Sequence, residues 1–230
     1  DVSPAGRFWA VQAGQKVVFW DGDGHLWGEK RLPNGIGRPV FFAEGFLGVD
    51  YSKGMAKDPR KLKEVEPLEL AWEGELDGRR LMDVPVRAPS RLGSKGFCYA
   101  TPAGGVGVRV WKNRAYVSAP MEGFVVHVFD ESLRKVETIR LPWTPRLVTE
   151  EEQRAYATNP YVQKMLKEDN QGLFFYETYP AFSDFQVADD ALWFILWPEG
   201  GAQALLCTSL NGTPLGSWCL PSPNAILERS

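Results

Sequence analysis

The sequence predicts an all-β protein, a β-propeller with about four visible four-stranded antiparallel blades and a short helical insertion near 149–170. Three observations carry that expectation. A 17-residue frame recurs at 17–33, 69–85, 126–142 and 205–221, each copy running from an apolar strand through a polar turn into a second strand closed by Leu-Pro or Val-Pro. The frames start 52, 57 and 79 residues apart, a period suited to a blade of four short strands. The vocabulary is that of strands and tight turns, with 23 Gly, 17 Pro, nine Trp and thirteen Phe.

In chain order, 7–12 and 16–20 read as a hairpin. Asp21-Gly22-Asp23-Gly24 then supplies the positive φ a tight turn demands, and a third strand ends at Leu32-Pro33, where proline has no N–H to continue a ladder. The second unit has strands at 40–43 and 46–51, a charged insertion at 52–66, and its frame at 69–85. The third unit is the cleanest, with strands at 106–111, 114–119, 124–129 and 136–141. In 124–129 the sets Phe124, Val126, Val128 and Val125, His127, Phe129 point to opposite faces, and both are mostly apolar, so this strand belongs to a sheet covered on both sides. Glu137, Thr138 and Arg140 mark the next strand as an outer edge.

The one helical passage follows. Thr149-Glu150-Glu151-Glu152 is a capping box, Asn159-Pro160 ends one helix and starts another, and Gly172 is a stop. The fourth unit has strands at 182–188, 191–197, 202–208 and 215–220, with turns at Asp189-Asp190 and Asn211-Gly212. The first unit shows only three strands, and 224–230 offers the missing one, which would close the disc. The alternative is part of a larger propeller.

Composition bounds the function. The 44% hydrophobic and 24% charged residues fit one globular domain over 1–230, and a 25.8 kDa chain buries roughly 70% of its unfolded surface without help from disulfides or metal. A net charge of -3 removes the electrostatic footprint of a nucleic-acid binder. No run of 18 apolar residues spans a membrane, which leaves peripheral association open. The chain begins at Asp1 rather than Met, so the lack of a leader does not assign a compartment.

Candidate chemistry is sparse. His25 and His127 occupy different columns of different frames, and neither has a serine or cysteine neighbour that would suggest a triad. Asp21, Asp23, His25 and Glu29 lack the acids of an EF-hand loop, so no metal is expected. With Asn211-Gly212 as the turn, Cys207 opposes Gly216 and Cys219 opposes Ala204, which points the thiols to opposite faces. Cys98 reads as a packing residue at the start of a loop-rich segment. The glycines of 101–107 precede a strand rather than a helix and are no dinucleotide fingerprint. Asp50, Asp130 and Asp184 read as turn formers. Neither a catalytic residue nor a cofactor is expected.

Phe19-Trp20-Asp21-Gly22-Asp23-Gly24 with Leu32-Pro33, Phe129-Asp130 with Leu141-Pro142, and Pro180-Ala181-Phe182 with Ala191-Leu192-Trp193 resemble the blade signature of bacterial six-bladed propellers of the NHL-repeat and TolB-like type. The resemblance covers most of the chain, although only four units are visible. It implies a scaffold binding proteins, sugars or small ligands in the bacterial periplasm or another extracytoplasmic space, with no shared active site.

Function is therefore expected where the repeat breaks. In 149–170 the candidate partner contacts are Tyr156, Tyr161 and Met165, on a helical excursion with no evident task inside a disc, unless its apolar stripe packs on the disc itself. In 52–66 they are Lys53, Lys57, Arg60, Lys61 and Lys63, which a solvated loop explains equally. The expectation is a non-catalytic interaction or scaffold module with a protein partner, such as an extrinsic accessory subunit of a larger complex. The alternatives are a hydrolase or lyase acting on a sugar or lactone in a central funnel, and a small-ligand sensor.

Overall fold

In a computed structural model, the described residues are 8–12, 16–31, 36–43, 45–50, 68–73, 78–86, 90–92, 96–101, 106–168, 172–198 and 202–220. Each repeated frame supplies the last two strands of an antiparallel sheet. The first sheet holds β1 (Phe8–Gln12), β2 (Lys16–Trp20) and β3 (Leu26–Arg31). The second holds β4 (Ile36–Phe42), β5 (Gly45–Asp50), β6 (Leu68–Glu73) and β7 (Gly78–Val84). Strands β8 (Ser90–Leu92) and β9 (Gly96–Thr101) intervene before the third sheet. That sheet is β10 (Val108–Trp111), β11 (Arg114–Ser118), β12 (Phe124–Phe129) and β13 (Lys135–Leu141). Helices α1 (Glu150–Thr158) and α2 (Pro160–Glu168) and strand β14 (Gly172–Phe175) lead to the fourth sheet. It comprises β15 (Asp184–Ala188), β16 (Ala191–Ile195), β17 (Gln203–Ser209) and β18 (Pro214–Leu220).

The architecture is the expected propeller type, with two corrections to its parts. Three of the sheets have four strands and the first has three; the segment 224–230, expected to complete it, lies outside the described residues. A further three-stranded sheet, ordered β14-β9-β8, had no expected counterpart. Cys98 therefore sits in a strand, and Gly172 opens one after the helix has ended at Glu168.

The turn between the last two strands has one design, seen three times. In the first sheet Asp21 Oδ1 accepts from the amides of Asp23 and His25, the Asp21 amide donates to the His25 carbonyl, and Gly24 takes φ +82°. In the third sheet Asp130 Oδ1 does the same for Ser132 and Arg134, with Leu133 at +61°. In the fourth, the Thr213 amide donates to Ser209 Oγ and the Ser209 amide to the Thr213 carbonyl, with Gly212 at +85°. Each turn takes in one residue more than a two-residue loop needs, and the surplus is absorbed as a bulge at Phe19/Trp20, Val128/Phe129 and Cys207/Thr208. Beyond the bulge the expected register holds: Cys207 opposes Gly216, Cys219 opposes Ala204, and both thiols are free.

The sheets stack in sequence. Val17 and Phe19 of the first meet Phe41 and Phe46 of the second. Leu47, Val49, Leu70 and Val84 of the second pack on Val108, Val117, Val125 and Phe129 of the third. The opposite face of the third, with Tyr116, Val126, Val128 and Ile139, packs on Phe185, Leu192 and Phe194 of the fourth. First strands come together at the inner edge, where β10 lies beside both β4 and β15. Arg109 of β10 bonds Asp184 at 2.9 Å and Gln186 at 3.0 Å, and Gly107 leaves room for the Phe185 ring, which a Cβ would approach to 3.0 Å. Arg109 and Gly107, two residues apart and both directed at Phe185 and its neighbours, thus bring β15 against β10.

His127 is buried between the second and third sheets. Its Nδ1 lies 3.2 Å from Thr138 Oγ1, while Nε2 is 3.6 Å from Glu122 Oε1 and has no hydrogen-bond partner. Burial holds its pKa below the usual histidine value; the carboxylate of Glu122 works in the opposite direction, and Lys135 and Arg140 reinforce the lowering.

Two predictions follow from these contacts. Gly212→Ala should cost roughly 1–2 kcal/mol in denaturant unfolding, because a side chain at positive φ is strained and its Cβ would stand 3.0 Å from Ile139. Gly28→Ala, where a Cβ meets open space, should change stability by less than about 0.5 kcal/mol. For His127, a lowered folded pKa means the unfolded chain binds the proton first, so its contribution is complete above about pH 6.5 and declines as pH falls from there toward the folded pKa. Unfolding measured at a series of pH values should show that decline in the native protein, and His127→Gln should lack that part of it.

Candidate functional site

In a sheet whose antiparallel strands follow sequence order, the first and third turns lie at one end, and the second turn and the link to the next sheet lie at the other. The first end is minimal. It holds the bulged turns above and the tight turns at Lys112-Asn113 and Asp189-Asp190, all four residues at positive φ. Here the third and fourth sheets interlock, with Lys112 Nζ and Trp111 Nε1 both donating to Asp190, whose pKa these bonds lower.

Every long connection leaves from the other end. From β5 and β6 of the second sheet runs 51–67, which contains Lys53, Lys57, Arg60, Lys61 and Lys63; these lie outside the described residues. From β7 to β10 runs the stretch with β8 and β9, and from β13 to β15 the stretch with both helices and β14. The last two excursions join: β14 pairs in parallel with β9, Gly172 opposite Cys98 and Phe175 opposite Thr101. At this end the third and fourth sheets also touch, the Ala181 amide donating to the Pro120 carbonyl at 3.0 Å.

The helical excursion is closed at its base. Leu147 bridges Thr178, the Val148 amide donates to the Glu177 carbonyl, and the Tyr179 amide donates to the Arg146 carbonyl, both at 2.8 Å. Arg146 is the clasp. Its guanidinium lies 3.7 Å from the centre of the Tyr179 ring, donates to Glu152 at 2.6 Å, and reaches the Pro198 carbonyl. Tyr179 in turn contacts Trp197 at the end of the fourth sheet, ring centres 5.4 Å apart. Glu152 also completes the expected capping box, accepting from the Thr149 amide while its own amide donates to Thr149 Oγ1. Partial burial works against both charges, yet the Glu152 carboxylate holds Arg146 above its ordinary pKa, and Thr149 and Arg146 together hold Glu152 below the usual carboxylate value.

The excursion is thus fixed, but α1 buries none of its side chains. Glu150, Glu151, Arg154 and Ala155 face solvent. Tyr156 is 40% exposed and meets Phe175 edge-on at 6.1 Å, so one of the expected partner contacts also packs on the protein's own β14. Tyr161 and Met165 lie on α2, whose Val162 is buried. The histidines stay apart, as their frames imply, with His25 in the turn between β2 and β3. Asp21, Asp23 and His25 do offer ligand atoms within 4.8 Å of one another, although Asp21 Oδ1 is already committed to two backbone amides. Arg146, Tyr179 and Trp197 were not marked in the sequence; the capping box three residues beyond Arg146 was the available signal.

The fold defines a β-propeller-type protein whose longer connections gather at one end. No family model matches the sequence, and no curated protein matches it. Among solved structures the chain is similar to a eukaryotic initiation factor, at 10% identity and a TM-score of 0.28, covering 96% of this chain and 65% of that one. It is also similar to Hsv2 of Kluyveromyces lactis, at 9% identity and a TM-score of 0.28, covering 90% of this chain and 79% of that one. The chain thus spans 65% of the length of the initiation factor. At these TM-scores neither likeness bears on what the chain does.

The clasp predicts a local effect. Arg146→Met should speed hydrogen exchange of the α1 amides by tenfold or more, a loss of about 1.4 kcal/mol or more of local stability, while amides of β10 to β13 keep their protection. Exchange read by mass spectrometry on peptides from 149–168 and 108–141 checks this.

Proposed function

We propose that the protein is a non-catalytic interaction module, an accessory subunit that a larger assembly holds through the loop-bearing end of the third and fourth sheets. The observation that carries this reading is a helix clamped in place that buries none of its own side chains. A helix held by its cap and by an arginine stack, yet contributing nothing to the core, leaves its whole outer surface to a partner. Connections presented by a rigid scaffold are also where binding residues concentrate. Glu150 and Glu151 are exposed in the first turn, whereas Glu152 is committed to Arg146. The partner surface meeting that turn is accordingly basic, which favours encounter and orientation more than raw affinity.

Joint replacement Glu151→Arg and Ala155→Arg reverses the charge and bulk of α1 without touching a bonded side chain. In cross-linked native extracts the wild-type chain is expected in a species containing a second, different polypeptide, and the α1 variant in a species without it, with an unchanged thermal midpoint. Glu131→Arg, at the hairpin end, should keep the partner. Recovery of the same partner with the α1 variant would sink the proposal.

A further inference from the structure

The third sheet holds a buried polar group that its packing leaves incomplete. His127 is 3% exposed; on its face the register sets Thr138 beside it and Arg140 beside Val125, while Val117 lies opposite on β11. The second sheet covers this face with Leu47, Val49, Leu70 and Val84. Among the described residues, the charged groups that act on the ring are Glu122, Lys135 and Arg140. Thr138 Oγ1 occupies Nδ1, whereas Nε2 is buried without a hydrogen bond. It faces Glu122 Oε1 at 3.6 Å, beyond bonding distance. The other oxygen of the same carboxylate, Oε2, lies 3.5 Å from the Arg140 guanidinium. One carboxylate thus stands between a permanent cation and a ring that becomes a cation in acid.

We propose that Glu122 is a proton-operated latch: when His127 takes a proton at Nε2, the carboxylate leaves Arg140, closes on the imidazolium and pulls on the 119–123 turn. The 3.6 Å gap fits a neutral ring whose proton sits on Nδ1 and is donated to Thr138, since Nε2 then turns a lone pair toward the carboxylate. Protonation replaces that opposition with a charge-assisted bond, which draws the two atoms to about 2.8 Å. The turn has little slack. The Glu122 amide donates to the Ala119 carbonyl and the Val125 amide to the Gly123 carbonyl, both at 2.9 Å. Gly123 takes φ +112° and lies against the Trp143 ring, which a Cβ there would approach to 3.2 Å. A pull on Glu122 is therefore passed to Gly123 and Trp143. Trp143 leads within three residues to Arg146, the clasp of α1. With the partner docked at this end, as proposed above, the latch makes docking respond to pH. That consequence depends on the docking surface, whereas the latch itself does not.

Proton NMR of the imidazole signals over a pH series tests the latch on the 230-residue chain, which has two histidines, so that His127→Gln assigns both. Glu122→Gln should lower the His127 midpoint and Arg140→Gln should raise it, each by about 0.5 pH or more. In Glu122→Gln chains, adding Arg140→Gln should move the midpoint markedly less, because the arginine then has no carboxylate to compete for. In the wild type, the nuclear Overhauser contact between Gly123 and the Trp143 ring should weaken as His127 titrates; in Glu122→Gln it should stay constant. Midpoint shifts that simply add overturn the proposal. So does a Gly123–Trp143 contact that ignores pH, or one that changes equally in Glu122→Gln, and so does a His127 signal that never titrates while the protein stays folded. Loss of the partner result for α1 with these shifts intact would remove the docking surface and leave the latch standing.

Discussion

A sheet that is apolar on both faces cannot stand alone, and that constraint organises this molecule. In β12 all residues after Phe124 are buried, three toward one neighbouring sheet and two toward the other. Fully burying a Val, Leu or Phe contributes roughly 1.5–3 kcal/mol each, so the third sheet is stable only as the filling between two others. The rest follows from satisfying it. The second and fourth sheets must sit on either side, their first strands must converge at β10, and the tight turns at Lys112-Asn113 and Asp189-Asp190 come into register. The stacking direction is thus set from the middle outward, and the end sheets inherit what remains.

What could be read in the sequence was what is local. The strand pairs of the third and fourth sheets were legible because alternation with period two and turn residues at fixed offsets lie within a dozen residues of one another. The Cys207–Gly216 register followed from Asn211-Gly212 alone, even though the bulge beside it was not foreseen. The capping box at Thr149 and the break at Asn159-Pro160 were legible for the same reason. What was missed is non-local. Strand β8 is three residues long, and β14 is four residues long in the wake of a helix, where Gly172 had a sufficient local reading as a stop. Their parallel pairing leaves no adjacent turn to announce it.

The candidate site divides the same way. A helical excursion was visible as a break in the repeat, and its placement at the same end as the 51–67 connection follows from strand order once the sheets are known. The clasp was not visible, because Arg146 and Tyr179 stand at opposite ends of one long connection and Trp197 lies in another, so they are brought together only by the fold. Nor does alternation tell which apolar side chains of a strand are fully sealed. Phe194 and Trp193 are adjacent and equally apolar, yet one is sealed and the other half-exposed.

The parallel pair β9–β14 also bears on how the chain reaches this state. Cys98 meets Gly172 across 74 intervening steps of chain, and the whole third sheet lies inside the loop that this pairing closes. Closing so long a loop costs entropy before any contact rewards it, whereas the hairpins of the third sheet close over a few residues. The order is therefore enclosed before enclosing: the third sheet assembles from local hairpins, and the pairing then shuts around it like a buckle. Once shut, the pair ties together the two stretches of chain that lead into and out of the third sheet, so the insertion that looks like an ornament in the repeat closes the segment that carries the interior.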